Sequence, residues 1–507
     1  TKMEWFRRAL LDAGGRCRFG ALCHGAFTRG NTVCGLAVAT PYGHGAVLAE
    51  AVIDATGNAD VASAAGAETR FGTDHQQIAC QGTGLSLRPL DQGGLNSDYL
   101  LVDDTDVVDV TRAMLGARQA LAADAAYDTV PIVLSRERRT VVGEVELHYL
   151  HQLLGRTWPD TIVHSESDYD SHGYPTLDYF AFLPHTPQTR TQNHPAPANA
   201  PYTPYRALLP RDVDGLLVTG LGSSMHRDAS AMVRMQRDLL NQGYAAWLAA
   251  AQALHEQTAV RHIDVRRLQQ QLVDLGALPP AVLQHTDNWP PADERVAQGA
   301  VDFGDHALDY DTRAHALALI FVRPDAAIPG MRRRLHELIT GHDADPGESP
   351  ALDYARLLAY FGQTDGLDLV CAALDRADFD DRIPQGNMAE YSHLPTPVDA
   401  LILALGHSGD ARALEPILRK LDQLNAHTPL SHHRTVARAL EHLADRLAAQ
   451  QLARLLRQPG MSGHEMTTIE PLVNVPADKR RREGALREII LARALYRCGD
   501  HAGRGHA

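Results

Sequence analysis

The apolar and polar positions of this chain fall into two regimes that meet near residue 253. Before that point, short apolar runs end on glycines; after it, apolar residues recur at helical spacing. In the first regime Val33 to Thr40 and Ala46 to Ile53 read as strands. Val52-Ile53-Asp54 runs into Ala55-Thr56-Gly57 and then into Asn58-Ala59-Asp60-Val61-Ala62, which is a strand, a turn and a helix start. The β-branched pair suits a buried strand, Gly57 turns with no Cβ against a ligand, and Asn58 or Asp60 can cap the helix. A second segment repeats the pattern. Leu216-Leu217-Val218 is a short strand, Gly220 and Gly222 permit close backbone approach, and a long Ala-rich helix follows Ala231-Met232-Val233-Arg234-Met235. The positive end of such a helix points at whatever occupies the gap between the two turns.

In the second regime Val265 to Leu275, Thr312 to Val322, Pro329 to Thr340, Ala351 to Phe361 and Leu367 to Leu374 read as helices separated by Gly, Pro and Asp breaks. Thr396 to Leu405, Ala411 to Leu421, His433 to Leu443 and Ala448 to Leu456 continue the series, with Gly406-His407-Ser408-Gly409-Asp410 as a tight corner. Helix pairs with such corners resemble HEAT-like repeats, which stack Leu and Ala faces into one core and bind or brace another surface. The other reading is an irregular helical domain that packs on the front half.

The strand-and-glycine segments, taken in order, resemble the FAD-dependent oxidoreductases related to the fumarate reductase and succinate dehydrogenase flavoproteins. That family closes its cofactor domain with an apolar strand, Gly, Ser, Arg and then a Gly-Gln-Ala-Ala-Gly helix. Between the two anchors, Leu134-Ser135-Arg136-Glu137-Arg138-Arg139-Thr140-Val141-Val142-Gly143-Glu144 looks like the family's Arg-Glu-x-Arg-Arg-x-x-Gly stretch, with Thr140 in the place of an arginine. Trp158-Pro159-Asp160 and Tyr169-Asp170-Ser171-His172-Gly173-Tyr174 follow in the family's order. Departures are that Gly243-Tyr244-Ala245-Ala246-Trp247 stands where the helix carries Gly-Gln-Ala-Ala-Gly, and Leu221 where a charged residue is usual. The larger one is at the front: a Rossmann-type flavoprotein holds its pyrophosphate on a Gly-x-Gly-x-x-Gly turn, and the sequence has none. Lys2 to Ala13 already resembles the helix that comes late in the family's first domain. The expectation is a chain that begins inside a domain, completed by a separate chain or by a segment removed by proteolysis or left out of this polypeptide.

Composition narrows the class. At 507 residues the chain exceeds a single core and suggests roughly two or three domains. No apolar run is long enough to span a bilayer, which fits a soluble protein, exported or cytoplasmic. A net charge of −14 argues against a nucleic-acid surface. Six scattered cysteines (Cys17, Cys23, Cys34, Cys80, Cys371 and Cys498) form no Cys-x-x-Cys pair, so buried free thiols are the default, with a disulfide among the first three open if the protein is exported. His148-x-x-His151 and His432-His433 lack a further ligand at metal spacing, which reads as satisfied surface histidines and no metal site.

These readings combine into an α/β fold: a Rossmann-like FAD-binding domain, incomplete at the N-terminus, in residues 1–70 and 201–255, with an inserted α+β substrate domain in 71–200 and an all-α, HEAT-like domain in 256–507. Gln188 to Pro204, rich in Pro, Asn and Thr, reads as a loop that can cover substrate. The resemblance implies FAD held by Ala55, Thr56, Gly57, Gly220, Leu221, Ser224 and Met235, and a small organic molecule that exchanges a hydride with flavin N5. Arg234 matches the family's arginine and can hold an anionic or carbonyl group, or pair with a core carboxylate. His226 is a candidate base beside the cofactor strand, and His172 a second with Asp170 as orienter. Arg136 is a substrate-domain candidate, with Arg139 near it and Glu137 as a neutralising partner. The rival class is a non-catalytic flavoprotein-like scaffold whose helical repeat binds another chain. The missing Gly-x-Gly-x-x-Gly favours the scaffold; the retained small residues favour the enzyme.

Overall fold

The computed structural model describes residues 2–71, 83–89, 102, 106–122, 127–135, 139–167, 169–170, 175–184, 201–340, 349–379, 395–464 and 476–506. The front opens on helix α1 (Lys2–Asp12), none of whose residues is buried, and an antiparallel meander of β1 (Leu22–Arg29), β2 (Thr32–Thr40) and β3 (Gly43–Leu48). β1 escapes sequence reading because its pairing is irregular: the register slips between Cys23 and Gly25 and again between Phe27 and Thr28, so no clean alternation survives. The expected strand from Ala46 to Ile53 is two. After β3 the chain leaves the meander and starts β4 (Val52–Asp54), which pairs in parallel with a strand from far downstream. The first helix after β4 is α2 (Asp60–Ala64).

The middle of the chain supplies small sheets that rest on this frame. β5 (Thr69–Arg70) pairs with β8 (Thr140–Val141), β6 (Thr83–Pro89) with β7 (Tyr127–Ser135), and β9 (Thr161–His164) with β10 (Tyr202–Pro204), all antiparallel. Between them lie α3 (Val107–Ala122) and α4 (Tyr149–Leu153). The chain then returns through β11 (Leu216–Val218), the short α5 (Arg227–Ser230) and the long α6 (Gln236–Glu256). Ala245, Ala246, Ala249 and Ala253 of α6 are buried against Leu217, Ile162 and α7 (Val265–Asp274), so small side chains let this helix lie close to the sheet.

The back half is helical: α8 (Asp293–Phe303), α9 (Tyr310–Val322), α10 (Pro324–Thr340), α11 (Pro350–Tyr360), α12 (Leu367–Arg376), α13 (Pro397–Ser408), α14 (Leu414–Leu421), α15 (Leu430–Leu443), α16 (Arg446–Leu456) and α17 (Pro476–Arg497). The spacing argument misses α8 and α17 and starts α10 late, because Pro329 reads as a first-turn proline whereas the helix runs through it. From α11 onward alternate helices pack side by side: α11, α13, α15 and α17 form one layer, and α12, α14 and α16 the other. The corner after α13 is a left-handed Gly409 (φ 67°) followed by Asp410, whose carboxylate caps the next turn at Arg412 N. Where α13 meets α15, a Cβ on Gly406 would lie 2.4 Å from Ala439 Cα, so only glycine permits that approach.

This back half is not separate from the front. The largest apolar cluster joins α4, the 177–183 segment and Met225 to Val233 with helices α8 to α17. Polar ties reinforce it: Arg438 of α15 forks onto buried Asp178, and Arg482 of α17 onto Asp109 of α3.

His432 and His433, expected at the surface, are fully buried. His432 Nδ1 lies 2.8 Å from Asp399 Oδ1, and His433 Nδ1 lies 3.2 Å from the Pro429 carbonyl. Burial, with Arg487 adding repulsion, pushes His433 down to about 3. Its folded pKa lies below the ordinary histidine value, so the stability it contributes is present above about pH 6.5 and is lost as pH falls. Urea unfolding is therefore expected to show stability dropping by about 1.4 kcal/mol per pH unit for this group below pH 6.5, and His433→Leu should remove that share of the slope. Equal slopes in both proteins would contradict the assignment.

The cysteines in the described residues are free thiols; Cys80 lies outside them. Cys23 and Cys34 point at different backbone carbonyls, those of Gly25 and Phe27.

Candidate active site

The two glycine turns that sequence places 160 residues apart are neighbours, because β4 and β11 pair Val52 with Leu216, Ile53 with Leu217 and Asp54 with Val218. Parallel strands leave a sheet at the same edge, and the carboxyl edge is where open α/β sheets take ligands. Gly57 and Gly220 both adopt left-handed backbone, at φ 74° and 73°, and a Cβ built on either would meet nothing within 4 Å. Ala55 and Thr56 are exposed beside them. The result is an open, nearly side-chain-free backbone surface.

The expected gap between the turns is absent. Gly222 packs directly on Ala59, where an added Cβ would lie 2.8 Å from Ala59 N and 3.2 Å from its Cα. A ring cannot enter there, which leaves the shared face of Ala55 to Gly57 and Gly220 to Leu221 as the backbone surface open beside the two turns. The two left-handed glycines put no side chain there, which fits a group lying against backbone.

Asp54 builds the first turn, a role that sequence reading assigned to Asn58 or Asp60. Its buried carboxylate accepts from Thr56 N and Oγ1 at 3.0 and 2.7 Å through Oδ1, and from Val61 N and Ala62 N at 2.9 and 3.0 Å through Oδ2. Those last two are unpaired amides at the start of α2, so the helix is capped from the preceding strand rather than from its own N-cap, Ala59, which is left-handed at φ 50°. Thr56 Oγ1 in turn accepts from Asp60 N. The Asp-x-Thr step at a strand end is a turn signature that sequence carries, and it was the signal available for Asp54. Asn58 and Asp60 instead receive Arg139: its backbone N–H donates to Asn58 Oδ1, its Nε to Asn58 O, and its Nη2 pairs with Asp60 at 2.6 Å. Arg139, placed by the sequence among substrate-domain arginines, is a brace on the cofactor turn. Nothing local in sequence links it to Asn58.

The second turn is held from α6, where Gln242 Oε1 accepts the Gly220 N–H at 2.6 Å. Leu221 sits half-buried on this turn, and Met235 is the N-cap residue of α6, half-buried, its carbonyl accepting from Leu239 N. Ser224 is buried, and its hydroxyl accepts from Gly143 N at 3.1 Å; a Cβ on Gly143 would collide with Ser224 Cβ at 2.6 Å. Its hydroxyl therefore clips the return segment to the 143–147 stretch.

Two of the four catalytic candidates fall in the described residues. Arg136 and His172 lie outside the described residues. Arg234 is turned onto Asp170, with Nη2 2.7 Å from the carbonyl and 3.0 Å from Oδ2, so Asp170 serves Arg234. His226 is buried and not solvent-exposed. It is the N-cap of α5, Nδ1 accepting from Asp228 N at 3.2 Å, and its ring tilts against His148 at 4.8 Å. With Nδ1 engaged by the Asp228 amide, Nε2 is the ring nitrogen through which this histidine would exchange a proton. Asp228 next to it clamps the 175–177 segment, accepting from Thr176 N, Thr176 Oγ1 and Leu177 N. Burial raises its carboxyl, but Arg227, His226 and these donors outweigh it and hold it below its usual range. His148 and His151 form a capping box on α4, and His151, packed against Trp158 and Trp289, is pushed down to about 2 by burial and by His148 and Arg156. Among the described residues no group of three or more His, Cys, Asp or Glu is placed to hold a metal.

Comparison with known proteins agrees with the cofactor reading. A family model described as FAD dependent oxidoreductase matches residues 3–120 and 97–272, together more than half of the chain. Neither the curated proteins nor the solved structures contain a match. The match spans both glycine turns, the Asp54 network and the Arg139 brace, with FAD as the family's cofactor, and on that ground the chain belongs to the FAD dependent oxidoreductase family.

Proposed function

We propose that this chain is the substrate-handling subunit of a flavoenzyme related to the fumarate reductase and succinate dehydrogenase flavoproteins, exchanging hydride between a small organic molecule and flavin N5. The observation that carries the reading is the parallel pairing of β4 with β11, which sets two open glycine turns side by side at one sheet edge. FAD, once bound, supplies the hydride acceptor or donor. The backbone of Ala55 to Gly57 and Gly220 to Leu221 holds it, and Met235 places the positive end of α6 near it. Ser224 contributes through the position of the turn behind it. Arg234, exchanging Asp170 for a substrate carboxylate or carbonyl, anchors the substrate. His226 is the base that takes up the proton released when substrate gives up its hydride, and His172 and Arg136 complete the set from the inserted substrate domain of residues 71–200. The helical part beyond residue 255 is a HEAT-like array that braces a partner surface.

A second chain completes the cofactor domain in this proposal. Among the described residues β4 pairs on one side only, so the alternation of the ladder turns the amide and carbonyl of Ile53 to an open edge. Leu240, Tyr244, Trp247 and Leu254 make an exposed apolar stripe along α6 at steps of four, three and seven. Trp247, standing where the family has a packing glycine, belongs to this outer stripe. An open parallel edge accepts a strand and such a stripe accepts a helix, so a strand–turn–helix segment bearing the glycine-rich turn fits both.

Purified protein is expected to be yellow and to carry a second polypeptide by intact mass and N-terminal sequencing. A colourless single species contradicts the proposal and favours a scaffold. Arg234→Ala is expected to abolish turnover with the flavin spectrum unchanged; undiminished turnover would remove Arg234 from the site.

A further inference from the structure

Where the 175–184 segment meets α9, α11 and α13, a cavity of about 110 Å3 opens between Pro184, Leu352 and Leu401 on its apolar side and His306, Arg313 and Arg356 on its polar side. One carboxylate serves all three side chains. Asp353 Oδ2 takes His306 Nε2 at 2.8 Å and Arg313 Nη2 at 2.9 Å, and Oδ1 takes Arg356 Nη2 at 2.7 Å. The Arg313 and Arg356 side chains are only 10% and 8% exposed. Arg356 carries a buried Nε–H with no acceptor among the described residues.

Burying two guanidiniums around a single carboxylate leaves an excess positive charge out of water, and that is costly unless an anion completes the set. Burial raises the Asp353 carboxyl, yet Arg356, His306 and Arg313 hold it below its usual range, so its one charge is already committed. Arginine's planar fork suits oxyanions, which accept several donors at once. The cavity has room for a group the size of phosphate or a short carboxylate and not for a nucleotide.

We propose that this cavity is a binding site for a small oxyanion, a phosphate or carboxylate group, received by Arg356 and Arg313. It lies among the back-half helices, on residues other than those of the flavin turns, and does not depend on the redox reading. An anion there ties the 175–184 segment of the front half to α9 and α11 of the back half. Its two sources, free inorganic phosphate and the carboxylate of an organic acid, share the recognition chemistry.

Thermal melting of the protein as purified, titrated at constant ionic strength with inorganic phosphate and in a parallel arm with acetate, tests this. A saturable rise in Tm with at least one anion is expected, and the arm that saturates at lower concentration identifies the source. Arg356→Gln should weaken that binding by about tenfold or more, while Arg332→Gln, at an exposed pair with Asp365, leaves it unchanged. Leu352→Trp fills the cavity without removing a charge and should abolish saturation, which keeps the test available if Arg356→Gln does not fold. No saturable binding of either anion, or binding in both cavity variants equal to that of the unaltered protein, would overturn the proposal.

Discussion

Asp54→Asn is expected to lower stability by about 3 kcal/mol and to release flavin, although it changes one atom. Both carboxylate oxygens accept: Oδ1 from Thr56, Oδ2 from the amides of Val61 and Ala62. An asparagine must point its NH2 at one of these sets of donors whichever way it is turned, so either the two buried amides of Val61 and Ala62 or the N–H and hydroxyl of the more exposed Thr56 lose their acceptor. The Ala55-Thr56-Gly57 turn and the start of α2 then lose their common anchor. Thr56→Val, which removes one donor to the carboxylate and the exposed acceptor of Asp60 N but leaves the carboxylate in place, should cost only about 1 kcal/mol. Urea unfolding and the flavin content of the purified variants read both effects. Equal behaviour of Asp54→Asn and Thr56→Val would show that the carboxylate does not organise the turn.

Gly222→Val should have the second largest effect. Its first side-chain carbon alone would sit 2.8 Å from Ala59 N, and backbone cannot yield there as a flexible side chain can. Relief requires the two turns to separate, which costs about 1–3 kcal/mol by overpacking and distorts the shared face. Gly57→Ala makes a useful contrast. It introduces strain at φ 74° but meets no neighbour, so it should lower stability by about 1 kcal/mol with less disturbance of the second turn. Flavin retention is the discriminating readout: Gly222→Val is expected to lose it more completely than its stability loss alone explains. A Gly222→Val protein with full flavin content would mean that the contact with Ala59 does not set the cofactor face.

Sequence revealed the two turns because glycine, small residues and β-branched strands are local signals, and their order pointed to a flavoprotein. It did not reveal that the turns touch. That contact depends on a parallel register between residues about 160 positions apart, which no local pattern encodes. Asp54 and Arg139 illustrate the two kinds of loss. Asp54 is legible as an Asx-type residue at a strand end, but Asn58 and Asp60 stand nearer the helix start and read as its caps. Arg139 reaches Asn58 across 81 residues, and its role follows only from the fold. The helices beyond residue 255 were legible where apolar spacing was regular, as in α11 and α13. Pro329 concealed the start of α10, and the polar, Arg-rich face of α17 hid that helix. His226, a candidate base in the sequence, is drawn inward by the α5 cap and the parallel bridge between Leu147 and Met225.

Amide hydrogen exchange of the purified protein, with and without added FAD, tests the central claim most directly. Slowed exchange at Thr56, Gly57, Gly220 and Leu221 is predicted when the cofactor is bound, together with the first amides of α6. Protection that appears elsewhere while these amides exchange at the same rate would contradict it.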